Sequence, residues 1–180
     1  MRFDGVALDR GGRRLFESLD LILEPGAALH LTGPNGSGKS SLLRLAAGLL
    51  SPAAGKIHRA PAALADDLSA LDRELPLQCA LAFWDPGTAA RAMATFGLDG
   101  LAQVPVRLLS AGQLRRASLA RVAASPAPVW LLDEPLNALD ADGVARLESS
   151  IATHRAAGGA VVAASHAPLA GDWAHLELGR

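Results

Sequence analysis

The chain is poor in cysteine and lysine, and it has no long apolar run. Its 180 residues include a single cysteine, Cys79. One thiol excludes an internal disulfide and fits a reducing compartment; nothing near Cys79 in sequence would activate it, so it reads as a small, buried, apolar residue. Arg44, Arg121 and several prolines and glycines interrupt the apolar segments before any reaches the length of a membrane span. Arg2 and Asp4 precede only a short apolar stretch, which is not the architecture of a signal peptide. A cytoplasmic protein is expected, or one held at a membrane through another subunit. Neither charge is in excess: seventeen basic and eighteen acidic residues leave a formal net charge of −1. That balance argues against broad electrostatic binding to nucleic acid. Lysine is scarce, with only Lys39 and Lys56 among the basic residues. In a chain that otherwise chooses arginine, a lysine at a special position is less casual.

What is present begins with a core. Half the residues are hydrophobic, and 180 residues suit one domain of ordinary size. The most informative stretch is Gly33-Pro34-Asn35-Gly36-Ser37-Gly38-Lys39-Ser40, a fit to the G-x-x-x-x-G-K-[ST] phosphate-binding loop. Upstream, Ala27 to Thr32 reads as a short buried strand; downstream, Leu42, Leu43, Leu45, Ala46 and Leu49 recur at helical spacing. Glycines let the backbone turn tightly so that successive N–H groups converge on a polyphosphate, and the N-terminus of the following helix adds its dipole. Lys39 then supplies a full charge to the β- and γ-phosphates, and the Ser40 hydroxyl a ligand for Mg²⁺. A Gly-rich surface turn ending in Lys-Ser would lack the flanking strand and helix. This is a nucleotide site.

Val6–Leu8, Leu19–Leu23 and Ala27–Leu31 read as strands separated by Gly11-Gly12 and Pro25-Gly26 turns, which suggests a small antiparallel sheet over about residues 1–30 leading into a parallel core. Lys56–Arg59 and Ala62–Ala65 are further candidate strands. From about residue 66 to 124 the pattern turns helical, with breaks at Pro76, Pro86-Gly87 and Gly97, as in a small helical subdomain set into one domain. Val129 to Leu132 is a continuous apolar run of the kind a strand covered on both faces shows. A helix over about 141–157 ends at Gly158-Gly159; Ala160–Ala164 and His175–Leu178 read as last strands.

The apolar run from Val129 ends on Asp133-Glu134. Beside a phosphate loop, Asp133 would reach the Mg²⁺ shell, and Glu134 would orient or deprotonate an attacking water. Leu109-Ser110-Ala111-Gly112-Gln113 opens another helix, with Ser110 a good N-cap and Gly112 leaving backbone N–H groups uncovered. Alone this is just a capped helix. Placed shortly before the Asp-Glu strand, it resembles the signature motif of ATP-binding-cassette (ABC) ATPases, whose usual form is Leu-Ser-Gly-Gly-Gln; Ala111 departs mildly. Asn137-Ala138-Leu139-Asp140 looks like that family's D-loop, and His166, after the strand Val161–Ala164, stands where its switch histidine stands.

The resemblance spans nearly the whole chain and implies an α/β P-loop NTPase fold of the ABC type: a RecA-like parallel core, a small antiparallel β subdomain and a short helical subdomain. It further implies head-to-tail homodimers, with ATP and Mg²⁺ between the Gly33–Ser41 loop of one copy and the Ser110–Gln113 segment and Asp140 of the other. Glu134 and His166 would then act on the γ-phosphate. Arg115-Arg116 after the signature, Asp133-Glu134-Pro135 leading to Gly143, and His166-Ala167-Pro168-Leu169 are similar to one branch, the haem exporter ATPases of bacterial cytochrome c maturation. Members energise an inner-membrane complex, so the resemblance implies an integral membrane permease partner, a peripheral place on the cytoplasmic face, and no nucleic acid.

Two residues depart from the family pattern. Where an aromatic ring usually stacks on adenine this chain has Arg10, which either stacks its guanidinium on the base or is a solvated residue before a Gly-Gly turn. Where the Q-loop glutamine belongs there is Asp66-Asp67-Leu68, and Gln78 lies too far on; Asp67 either replaces the metal contact or is a solvated carboxylate. These departures motivate an alternative reading, a regulatory module that binds ATP and barely turns it over. A soluble ABC ATPase of DNA repair or translation would carry a coiled-coil insertion or tandem cassettes, and a GTPase an Asn-Lys-x-Asp segment; the sequence has none of these.

Overall fold

The computed structural model describes residues 1–66 and 70–179. They form two compact units. One comprises Met1–Leu64, Ala127–Glu134 and the C-terminal segment from His154; the other comprises Ala65–Pro126 and Pro135–Thr153.

In the first unit β1 (Arg2–Arg10) and β2 (Arg13–Ile22) form an antiparallel hairpin around Gly11-Gly12, and β4 (Ala54–His58) pairs with the other edge of β1. Phe3 and Val6 have opposite parity in a regular strand, so only one would face inward. A register shift between them turns both into the core, and both are buried. The second sheet has the order β5-β6-β7-β3-β8, from Ala62–Ala65, Val129–Asp133, Ala160–Ala164, Ala28–Thr32 and Ala174–Glu177. β3, β7 and β8 pair in parallel, as do β6 and β7. Every residue of β6 and β7 is buried, which is why these strands read as unbroken apolar runs and not as alternation.

One expectation is corrected. The three early strands do not share an antiparallel sheet: β3 lies in the middle of the parallel sheet, and β4 is the third antiparallel strand. The physical reason is burial. Ala28 to Leu31 are covered on both faces and need neighbours on both edges, whereas β4 is exposed at all but one position and suits an edge. Against the parallel sheet packs α1 (Lys39–Ala46), whose Leu42, Leu43 and Leu45 join Leu29, Leu31, Leu131 and Val162 in the core.

The second unit contains α2 (Leu77–Ala82), α3 (Ala89–Thr95), α4 (Ala111–Ala124) and most of α5 (Ala141–Ala156). Cys79, expected buried, is exposed. On α2 the buried residues are Leu77, Ala80 and Leu81; Cys79 lies two positions from Leu77 and Leu81, on the opposite side of so short a helix. Arg121 is buried on α4 with its guanidinium 4.8 Å from the centre of the Trp84 ring and in electrostatic reach of Asp66. Burial pulls its pKa down, and the Asp66 carboxylate opposes that shift. No helix among the described residues is long and apolar enough to cross a membrane.

Candidate functional site

Sheet register decides where the chemistry-bearing residues gather. Leu31 of β3 and Asp133 of β6 both pair with Ala164 of β7, so three strands end level with one another. The chain leaves β3 into Gly33, leaves β6 into Glu134, and leaves β7 into Ser165 and His166. Their carboxyl ends are where open parallel sheets hold ligands.

The loop after β3 is tightly constrained. Gly33 has φ +132°, and a Cβ there would run into the Leu178 carbonyl oxygen, so a side chain is excluded twice over. Gly38 stands at the N-cap of α1 with no side-chain cap, and Leu15 and Phe16 of β2 close in on it: a Cβ at Gly38 would meet the Phe16 ring at 3.3 Å. The helix N-terminus is thus left to a ligand. Ser37 Oγ is buried without a partner among the described residues. Lys39 is only 8% exposed, and its Nζ donates to the carbonyls of Gly33 (2.7 Å) and Pro34 (3.2 Å). A buried ammonium requires such partners, and these two hold it at the mouth of its own loop.

His166 completes the cluster. Its Nε2 is 2.9 Å from Asn35 Oδ1, 3.4 Å from Lys39 Nζ and 3.5 Å from Glu134 Oε1. Glu134 has φ +45°, a conformation that costs a non-glycine residue about 1–3 kcal/mol; its N–H donates to the Ala164 carbonyl at 2.8 Å, which pins the turn. Asp133 is buried at the end of β6. Its carboxylate and the Ser40 hydroxyl are oxygen donors, the ligand type that a hard divalent cation accepts. Arg10, at the end of β1, donates from Nη1 to Ser41 Oγ at 3.1 Å. Its guanidinium is therefore tied to the phosphate side of the loop.

The second unit brings together the other motif residues. Ser110 and Gln113 form a reciprocal capping box: Gln113 N–H donates to Ser110 Oγ at 3.3 Å and Ser110 N–H to Gln113 Oε1 at 2.9 Å. A Cβ on Gly112 would lie 2.9 Å from the Ala138 carbonyl oxygen, so the Ser110–Gln113 turn and the Asn137–Asp140 loop are in contact. Asp140 accepts the Gly143 N–H at 2.8 Å and thereby caps α5, while Ala111 is exposed. Asp66 is buried directly after β5, Asp67 lies outside the described residues, and Gln78 is exposed on α2. Sequence reasoning missed Phe16 against the loop and Asn35 against His166. The first carries no motif, and the second joins residues 131 positions apart.

Comparison with known proteins follows the same direction. The ABC transporter family profile matches residues 16–137. The chain is 56% identical to the cytochrome c biogenesis ATP-binding export protein CcmA of Sphingopyxis alaskensis, covering 94% of this chain and 91% of that one. It is 57% identical to the protein of that name from Novosphingobium aromaticivorans, covering 92% and 87%. A solved dimer of an ATP-binding cassette in a post-hydrolysis state, bound to ADP and Pi, has the same fold with TM-score 0.80 at 21% identity, covering 92% and 88%. The chain belongs to the ABC transporter family of ATP-binding subunits, in the branch of the cytochrome c biogenesis ATP-binding export proteins.

Proposed function

We infer that the chain is the ATP-hydrolysing subunit of the complex that handles and exports haem during cytochrome c biogenesis. The observation that carries the reading is the meeting of Lys39 Nζ and Glu134 Oε1 with His166 Nε2, at 3.4 and 3.5 Å, at the mouth of a glycine-rich loop. The 56% identity to an export protein of that name supports the pathway.

In this reading the N–H groups of Gly33 to Ser41 and the N-terminus of α1 hold the phosphates, and Lys39 neutralises the β- and γ-oxygens. Mg²⁺, held by Ser40 and Asp133, would supply further charge neutralisation there. Glu134 accepts the proton of a water whose oxygen attacks the γ-phosphorus, while the bond to the β–γ bridging oxygen breaks and ADP leaves. His166 contacts the γ-phosphate. Ser110, Ala111, Gly112, Gln113 and Asp140 close the site of a second copy in a head-to-tail homodimer. The exposure of Ser110 and Ala111 supports this arrangement, as does the dimeric fold neighbour. An integral membrane permease subunit anchors the pair at the cytoplasmic face of the inner membrane.

The test is turnover by the chain assembled with its membrane partner. Glu134→Gln should lower hydrolysis roughly 10²- to 10⁴-fold while ATP binding survives. Undiminished turnover removes Glu134 from the mechanism, and loss of all magnesium-dependent affinity for adenine nucleotides removes the function. Deleting the gene should abolish haem attachment to periplasmic c-type cytochromes; intact cytochromes would move the chain to another exporter.

A further inference from the structure

His166 Nε2 has three polar neighbours, and they do not ask the same of it. Asn35 Oδ1, at 2.9 Å, and Glu134 Oε1, at 3.5 Å, are acceptors. Lys39 Nζ, at 3.4 Å, is a donor, but its closer bonds go to the Gly33 and Pro34 carbonyls. The shortest contact and the majority of contacts therefore call for a proton on Nε2. The Asn35 contact is also the only one of the three at ordinary hydrogen-bond distance.

We propose that Asn35 is a positioning residue for the reaction: its amide oxygen holds the His166 ring over Lys39 with the proton on Nε2, so that the histidine meets the γ-phosphate as a donor. The inference rests on the hydrolytic reading of this site. The chemistry is economical. A phosphate oxygen is an acceptor, as the amide oxygen is, so the same N–H serves both without a change of tautomer. The opposite orientation, with Nε2 bare, would set a lone pair against phosphate oxygens. Lys39 and Glu134 are the charged groups that face the ring, and neither is as close to Nε2 as the Asn35 oxygen.

Two measurements test this on the chain. The first is the tautomer of the His166 ring, read from its imidazole ¹⁵N chemical shifts without nucleotide, the signal identified by its loss in His166→Gln. In the wild type Nε2 should carry the proton; Asn35→Ala removes the acceptor and should move the ring toward the tautomer mixture of an unconstrained imidazole. Asn35 is exposed, so the variants should fold, and Asn35→Ser, which keeps a small acceptor, should restore much of the wild-type pattern. A bare Nε2 in the wild type means that the amide nitrogen faces the ring, and overturns the proposal; an unchanged tautomer in the alanine variant overturns it too. The second is ATP turnover. Asn35→Ala should lower kcat several-fold with little change in KM, and Asn35→Ser should recover most of it. Unmoved kcat would reduce the contact to a structural one and overturn the catalytic claim. Absent turnover in the wild type would remove the hydrolytic reading, and leave the tautomer to judge the contact.

Discussion

Lys39 and His166 are 127 positions apart in the chain, and their side-chain nitrogens stand 3.4 Å from each other. Neither residue could be there without the parallel register that ends β3 and β7 side by side. The lysine is fixed by two carbonyls of its own loop, so its charge is preorganised before any phosphate arrives.

Lys39→Ala should therefore weaken ATP binding about 10- to 100-fold, the range for one or two bonds from a charged donor. Titration with a fluorescent ATP analogue measures it. The far-ultraviolet circular dichroism should not change, because α1 is held by Leu42, Leu43 and Leu45.

Gly112 sets two small effects against each other. Alanine at a helical position gains up to about 1 kcal/mol over glycine, but a Cβ at 2.9 Å from the Ala138 oxygen forces a shift of the kind that costs about 1–3 kcal/mol. Overcrowding wins. Gly112→Ala should lower stability by about 1 kcal/mol in urea unfolding, the reverse of what helix propensity alone gives.

Arg10 reaches Ser41 in the phosphate loop. Removing it should weaken ATP and GTP alike, by roughly 5-fold for one hydrogen bond, and leave their ratio unchanged. Competition binding with both nucleotides decides; a ratio that moves by more than the common loss would mean that the guanidinium works on the base.

His154 stacks on Trp130 with ring centres 4.0 Å apart and planes 11° from parallel. Burial lowers its pKa below the ordinary 6.5. The unfolded chain therefore takes up a proton near pH 6.5 that the folded chain still refuses, and stability falls as pH drops from there toward the depressed folded value. Above about pH 7 the residue contributes no pH dependence. His154→Phe keeps a stacked ring without the titration, so its urea midpoint should fall less than that of wild type between pH 7 and 5.

Much of this was legible in the sequence because the relevant signals are local. The Gly33–Ser40 loop and the strand that ends on Asp133-Glu134 are contiguous words, and contiguous words fix local geometry. Pairings are different. That β3 leaves the early strands for the parallel sheet depends on burial at both of its faces, and Asn35 meets His166 only after β7 has been laid beside β3. Cys79 was misread because composition favours buried cysteines, whereas the facing of a six-residue helix is set by what it packs on. Arg10 was recognised by its place before the loop, but its bond to Ser41 is a matter of reach that no spacing encodes.

The place of β3 also has a bearing on how the protein is made. Both neighbours of this strand, β7 and β8, come from the last quarter of the chain, starting at Ala160 and Ala174. During synthesis the strand waits with both edges unpaired until β7 and β8 have been made, so the nucleotide cleft is assembled by slow, long-range closure. A nascent chain halted before residue 160 exposes an apolar strand with nothing to pair with, a ready client for chaperones and proteases.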